Sequence, residues 1–330
     1  MSKKVGIPRA LFYYNYFPLW NTFFEELGAE IVVSRNTTKK TIDEGSKSCV
    51  DEACLPIKVF YGHVIELKDK VDFLLIPRFT SVSRGEYICP KFGGLPDMIR
   101  NTITGLPEII DVDVDLWKNG SNPLISAFEV GGYFTNERRK IRKAYRKAIE
   151  SFTEYRSEVK KGVLPEDILS KKLRLIKKID EPRLNIALIG HSYNVYDNYV
   201  NMDMVNKLKN NGVNILTIDM VSSKVIKEKV KNLSKKMFWN YGTRAIGSTM
   251  HFLDKKDIDG IIYLMSFGCG IDSFVSDLIE RRVRRKKELP FIVLTIDEHS
   301  GEAGMDTRIE AFIDMIRWRK KGENNISAYG

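Results

Sequence analysis

Hydrophobic positions along this chain fall into two rhythms that take turns. Short runs rich in Val, Ile and Leu, such as VGIP (5–8), EIVVS (30–34) and VDFLLIPR (71–78), read as strands. Between them, apolar residues recur every three to four positions. LWNTFFEELG (19–28) predicts a helix closed by Gly28, IKVFYGHVIEL (57–67) a second, and LPDMIRNTI (95–103) a third. Residues 133–180 read as long basic helices leading into a linker. The strand pattern restarts with LNIALIG (184–190), which makes Glu181-Pro182 a natural boundary. Helix VNMDMVNKLKNNG (200–212), strand VNILTID (213–219) and a helical region to 254 follow. Strand DGIIYLMSFG (259–268), helix SFVSDLIERRVRRKK (273–287), strand PFIVLTID (290–297) and helix MDTRIEAFIDMIRWRKK (305–321) complete the order. This alternation predicts an α/β protein of two domains with mostly parallel sheets facing a common cleft. Residues 1–180 form an N-terminal α/β domain, and 181–330 a C-terminal doubly wound α/β domain. The halves echo each other in architecture, without a sequence repeat.

Composition changes this picture little. Of 330 residues, 43% are hydrophobic and 29% charged, as in ordinary globular proteins. No apolar run approaches the ~20 residues that span a bilayer. Arg9 and Asn15 interrupt any signal-peptide core in MSKKVGIPRALFYYNYF, so a cytoplasmic protein with no membrane association is expected. The net charge of +10 is concentrated in ERRKIRKAYRKAIE (137–150), KKLRLIKK (171–178) and RRVRRKKE (281–288). Each reads first as a solvated helix face, and next as a surface for phosphates or an acidic partner. Nucleic acid is not expected, because no recognised motif organises the charge.

The candidate chemistry lies in the four cysteines. In a reducing compartment they point to metal binding, redox chemistry or plain burial rather than disulfides. Cys54 precedes Pro56 and a helix. Cys89 precedes Pro90, a short way ahead of another helix. Cys269 lies between a strand and the helix it feeds, flanked by Gly268 and Gly270. In a parallel α/β sheet such junctions share one edge, the edge where ligands bind. Helix N-termini there stabilise thiolates, and Gly93, Gly94, Gly268 and Gly270 let backbone N–H groups approach sulfur. Three convergent thiolates suit an iron–sulfur cluster. Zinc would use the same residues, although no C-x-x-C pair occurs. Cys49 stands apart: on a continuous helix its thiol would diverge from that of Cys54 by about 140°. Only a turn over 49–53 would bring both to one metal, and Cys49 is read as a bystander.

The motifs PRALFYYNYFPLWNTFFEELGAE, DEACLPIKVFYGHV, IPRFTSVSRGEYICPKFGGLPDMI, GHSYNVYD, FGCGIDSF and IDEHSGEAGMDTRIEAFID together resemble the 2-hydroxyacyl-CoA dehydratase-like family, and most closely its stand-alone activase-related members. The resemblance runs from about residue 5 to 316. It implies flavodoxin-like or Rossmann-like domains and a [4Fe-4S] cluster, with Cys54, Cys89 and Cys269 at the matching cysteine positions. It also implies a separate ATP-hydrolysing iron–sulfur activator that injects one low-potential electron. Family dehydratases use it to remove water from a 2-hydroxyacyl-CoA through a ketyl radical, and other relatives reduce aromatic acyl-CoA esters. Those dehydratases use two different subunits, so a dimer with itself or a related chain is expected. Four cysteines alone do not supply the six usual for a double cubane.

Other features complete the expectations. No G-x-x-x-x-G-K-[ST] occurs, which places ATP hydrolysis in another chain. Glu298 and His299, at the end of a predicted strand, are candidate general acid–base groups. The alternative is local pairing of Asp297 and Glu298 with Arg308. His191, Tyr193 and Asn194 are candidate substrate or cluster contacts, and His63 is read as structural. Lys58, Arg78 and Lys91 are candidates to balance cluster charge. MSFGCGIDSF also has the outline of a nucleophile elbow, with His299 as its base.

Overall fold

The computed structural model describes residues 2–117, 122–170, 184–286 and 289–320. The boundary read at Glu181-Pro182 and the basic run 171–178 lie outside the described residues. Ten strands are described: β1 (Lys4–Ile7), β2 (Glu30–Val33), β3 (Phe73–Leu75), β4 (Arg78–Ser81), β5 (Glu108–Ile110), β6 (Asp113–Asp115), β7 (Leu184–Gly190), β8 (Val213–Thr217), β9 (Gly260–Ser266) and β10 (Phe291–Ile296).

They form two four-stranded sheets, ordered β2-β1-β3-β5 and β10-β9-β7-β8, and a small β4-β6 pair. Every pairing is parallel, with Val5 opposite both Ile31 and Phe73, and Ile186 opposite both Ile215 and Gly260. Counted within its own sheet, each half has the same order, second-first-third-fourth. That is the flavodoxin-like arrangement, with its switch point between first and third strands. The echo seen in the sequence pattern is an identity of topology.

Central strands buried on both faces explain the continuous apolar runs. Ile186, Ala187, Leu188 and Ile189 of β7 are fully buried, as are Ile261, Ile262, Tyr263 and Leu264 of β9. One core runs from Val5 and Phe24 of the first half to Leu188 and Ile313 of the second, and a second core covers the other face of β7 and β9. The long helix Arg138–Lys160 buries Ile141, Ala144, Ala148 and Val159 and turns its Arg and Lys residues outward. That is the solvated face its charge pattern predicts. Among the described residues, no helix is long and apolar enough to cross a membrane.

The structure corrects two local expectations and adds an element that the pattern did not announce. The first helix is Tyr13–Glu26 and carries Pro18 inside it. The expected start at Leu19 lies after that proline, which ordinarily costs a helix interior. Burial of Tyr13 and Tyr14 against the core overrides it. The run 71–78 is two strands, because Pro77 cannot donate to a ladder and the chain re-pairs beyond it as β4. The helix Lys39–Ser48, too polar to show an apolar stripe, is pressed against Leu55–Leu67. A Cβ on Gly45 would stand 1.8 Å from the Lys58 carbonyl oxygen.

Candidate functional site

Loops leaving the first and third strands of a 2-1-3-4 sheet diverge and open a crevice. The two sheets aim these crevices at each other. The β1 loop carries Leu11, a non-glycine residue at φ 49°, and delivers Phe12. The β7 loop delivers His191, Ser192 and Tyr193. Phe12, Cys89, Phe92, His191 and Tyr193 line one cavity of about 50 Å³ together with Tyr241.

Each of the three predicted thiols sits at a helix start, and Cys89 lines this cavity. Cys54 is the N-cap of Leu55–Leu67, in extended geometry with Pro56 in the first turn. Cys89 precedes the short helix Pro90–Gly93. Cys269 precedes Gly270–Lys286; its carbonyl accepts from Ser273 N–H at 3.0 Å, and its Sγ from Asp272 N–H at 3.5 Å. Gly268 adopts φ +74°, and a Cβ there would stand 3.8 Å from Cys54 Cα, so the two halves touch at these positions. Burial raises all three thiol pKa values. The Lys91 charge works against that rise at Cys54 and Cys89. Cys269 has Asp272 instead, which adds to the rise, as do Cys54 and Cys89. The Tyr193 phenol is raised by burial, then by Cys269, Asp272, Cys54 and Cys89. The structure therefore brings Cys54, Cys89 and Cys269 together.

Cys49 ends the helix Lys39–Ser48, and residues 50–53 form a turn rather than more helix. The Tyr61 phenol nearby is raised by burial and further by Cys49. Burial raises its pKa, opposed by the Val50 backbone and Lys58, with Cys54 adding to the rise.

On the second half's side, Asp272 is fully buried and accepts from the Tyr263 hydroxyl at 3.0 Å and Ser266 N–H at 3.3 Å. Burial pushes its carboxyl up to about 6. The His191 ring stacks between Tyr193, at 4.7 Å, and Tyr241, at 3.4 Å. Its Nε2 is buried without a hydrogen bond, 3.6 Å from Asp272 Oδ1. Burial lowers the imidazole to about 3, so it is neutral at pH 7. Ligand atoms of His191, Cys269 and Asp272 lie within 4.8 Å of one another, near enough to share a metal ion. Asn194 is wholly buried, and both its amide atoms lack partners among the described residues.

Of the predicted acid–base pair, Glu298 accepts from buried Lys58 at 2.5 Å, a link between the halves. Lys58 holds the Glu298 carboxyl below its ordinary range against the opposing effect of burial. His299 is exposed on a turn in which its N–H donates to Asp297 at 2.8 Å. Arg78 is engaged by Asp97 at 2.5 Å and Asp111 at 3.2 Å. Lys91 reaches the Glu52 carbonyl at 3.4 Å. His63 is buried with Nε2 3.0 Å from the Thr37 hydroxyl, which donates to Asp197 of the second half. The sequence reading missed Asp272 and Tyr241. Asp272 carries a signal, an acidic residue in the first turn of the helix after Cys269. Tyr241 lies in a stretch read only as broadly helical.

Two family models cover the chain. The CoA enzyme activase uncharacterised domain matches residues 4–221. The D-component of 2-hydroxyglutaryl-CoA dehydratase matches residues 146–316. No curated protein matches at a significant level.

Proposed function

The chain belongs to the 2-hydroxyacyl-CoA dehydratase-like family, and on that premise we propose that it holds one [4Fe-4S] cluster on Cys54, Cys89 and Cys269. In this reading it is the electron-accepting component of an ATP-dependent reductase or dehydratase system. Its substrate is acyl-CoA-like, and a separate iron–sulfur activator supplies the electron. The observation that carries the reading is the meeting of three thiols, each at a helix start, two from one half and one from the other.

The residues fit such a group. Thiolates are the donors iron–sulfur clusters use. Gly268 leaves open the space beside Cys54 that a Cβ would occupy. Lys91 offsets negative charge at two of the thiols. When bound, the cluster supplies a low-potential electron and an iron that can polarise a substrate oxygen. The chain's own residues shape what surrounds it. Phe12, Phe92, Tyr193 and Tyr241 form the aromatic part of the cavity wall, and the Nε2 of neutral His191 is unpaired. Lys58 and Glu298 hold the halves together beside Cys54. Glu298 and His299 keep an acid–base assignment only at the edge of the site, because the first is occupied by Lys58 and the second faces solvent.

The turn over 50–53 favours a second reading, in which Cys49 is a fourth ligand and the closed cluster only carries electrons. The Tyr61 phenol near Cys49 weighs against it.

Anaerobic purification with iron, sulfide and zinc analysis, and an EPR spectrum after reduction, tests the proposal. About four irons and four sulfides per chain are expected. Zinc alone, with failed cluster reconstitution, sinks it. Loss of the cluster in Cys49→Ala selects the carrier reading.

A further inference from the structure

The largest apolar cavity among the described pockets lies away from the thiols, under the basic helix Arg138–Lys160. It encloses about 360 Å³, lined on one side by Tyr145, Ala148, Ile149 and Phe152 and on the other by residues that include Trp20 and Phe79. Those helix residues follow the spacing 145, 148, 149, 152, one helical face. At the roughly 30 Å³ that one water takes up in the liquid, the space equals about twelve water volumes. A cavity with this lining holds water poorly and apolar matter well.

Its mouth is not apolar. Ile149 lines the cavity and is 38% exposed, so the cavity reaches the surface on its side of the helix, as it also does at exposed Pro123 on the opposite wall. At about 100° per residue, Arg142 and Arg146 each fall within roughly 60° of Tyr145 or Ile149 on that exposed side. Both are exposed. Arg146 reaches Glu150 only at 3.9 Å, and Arg142 has no carboxylate partner among the described residues. Phe79 packs edge-on against Phe12 at 4.5 Å, and Phe12 lines the small cavity at Cys89. An aromatic layer thus closes the inner end, and the site stands apart from the thiols.

The geometry points to a binding site for an amphiphile with an anionic head and a straight hydrocarbon chain of about ten carbons, head on Arg142 and Arg146 and chain in the cavity. The inference stands independently of the cluster. A free carboxylate brings its anion directly to the arginines, whereas a thioester is neutral and offers only the more distant CoA phosphates, and the experiment separates the two.

Isothermal titration of the full-length protein with decanoate, decanoyl-CoA, decanol and decyltrimethylammonium reads the site. One saturable decanoate per chain is expected. Decanol should bind at least about tenfold more weakly, and the cation not measurably. Ala148→Leu and Ala127→Leu, which fill the cavity, should each weaken decanoate about tenfold or more while iron content and circular dichroism stay unchanged. Arg142→Glu should weaken it about tenfold and flatten its dependence on salt. Binding of decanoyl-CoA without free decanoate, lost in the same variants, assigns the site to thioester-borne chains. Absence of saturable binding by either, or unchanged affinity in both cavity-filling variants, overturns the proposal. Equal affinity for decanol overturns the anionic head. A dimer that Ile149→Glu dissociates, with no ligand bound by the parent protein, gives the face to a second copy instead.

Discussion

The two halves build the same sheet order and place charges of opposite sign beside their thiols. In the first half, Cys54 and Cys89 stand beside Lys91, and Lys58 lies buried one turn into the helix that Cys54 caps. In the second, Cys269 stands beside Asp272, with a neutral histidine stacked between two tyrosines. A shared topology therefore fixes where the loops converge, not what they carry. Burial resists ionisation of all three thiols; Lys91 moderates that in the first half, and Asp272 adds to it in the second. A group that needs all three thiolates must draw the proton from Cys269 against a neighbouring carboxylate.

The sharpest way to break this comparison is to remove the second half's thiol. Cys269→Ala should lose most of the iron, whereas Cys49→Ala should keep nearly all of it. Full iron retention in Cys269→Ala would remove the second half from the site. The next effect tests the link between halves. Glu298→Ala leaves Lys58 buried without its partner and should cost about 2–4 kcal/mol in denaturant unfolding. A loss below about half a kcal/mol would mean that the bridge contributes little to holding the halves.

In metal-free protein near pH 8, iodoacetamide should label Cys269 about tenfold more slowly than Cys89, because its thiolate fraction is smaller. Mass spectrometry of the labelled peptides reads this, and equal rates would erase the electrostatic contrast. The smallest effect concerns His63, which anchors the first half to Asp197 through Thr37. Burial holds its folded pKa at about 3, below the ordinary 6.5. The unfolded chain thus takes up a proton that the folded one refuses, and stability falls as pH drops from about 6.5 toward 3. Between pH 7 and 5.5 this costs about 1 kcal/mol. His191 acts in the same direction. Asp272, raised to about 6, opposes both below pH 6. His63→Gln should lower stability at pH 7 and flatten the slope between pH 7 and 5.5; an unchanged slope would detach His63 from the effect.

Much of the fold was legible because its signals are local. Period-two and unbroken apolar runs mark β1, β2, β7, β9 and β10, and the Pro and Gly beside Cys54, Cys89 and Cys269 mark the helix starts that bring these thiols to one rim. Where tertiary packing overrides a local rule, the pattern failed, as with Pro18 inside a helix. The site's charged partners were hidden for another reason. Lys58 and Glu298 are 240 residues apart, and nothing in either neighbourhood announces the other. Asp272 reads as an ordinary helix-start acid until the fold buries it beneath Tyr263. The small cavity was hidden too, since it takes its walls from six separate segments of the chain.

The division of the thiols between halves also has a consequence in time. A ribosome delivers Cys269 180 residues after Cys89, and at about 5–20 residues per second that is a delay of roughly 10–40 s. Throughout it, the emerging chain displays two of the three thiols beside Lys91 and no third. The crevice wall that Gly268 completes is also missing. Any prosthetic group needing all three is therefore inserted after synthesis has passed the second sheet. Until then the nascent protein depends on its surroundings to keep the early thiols reduced.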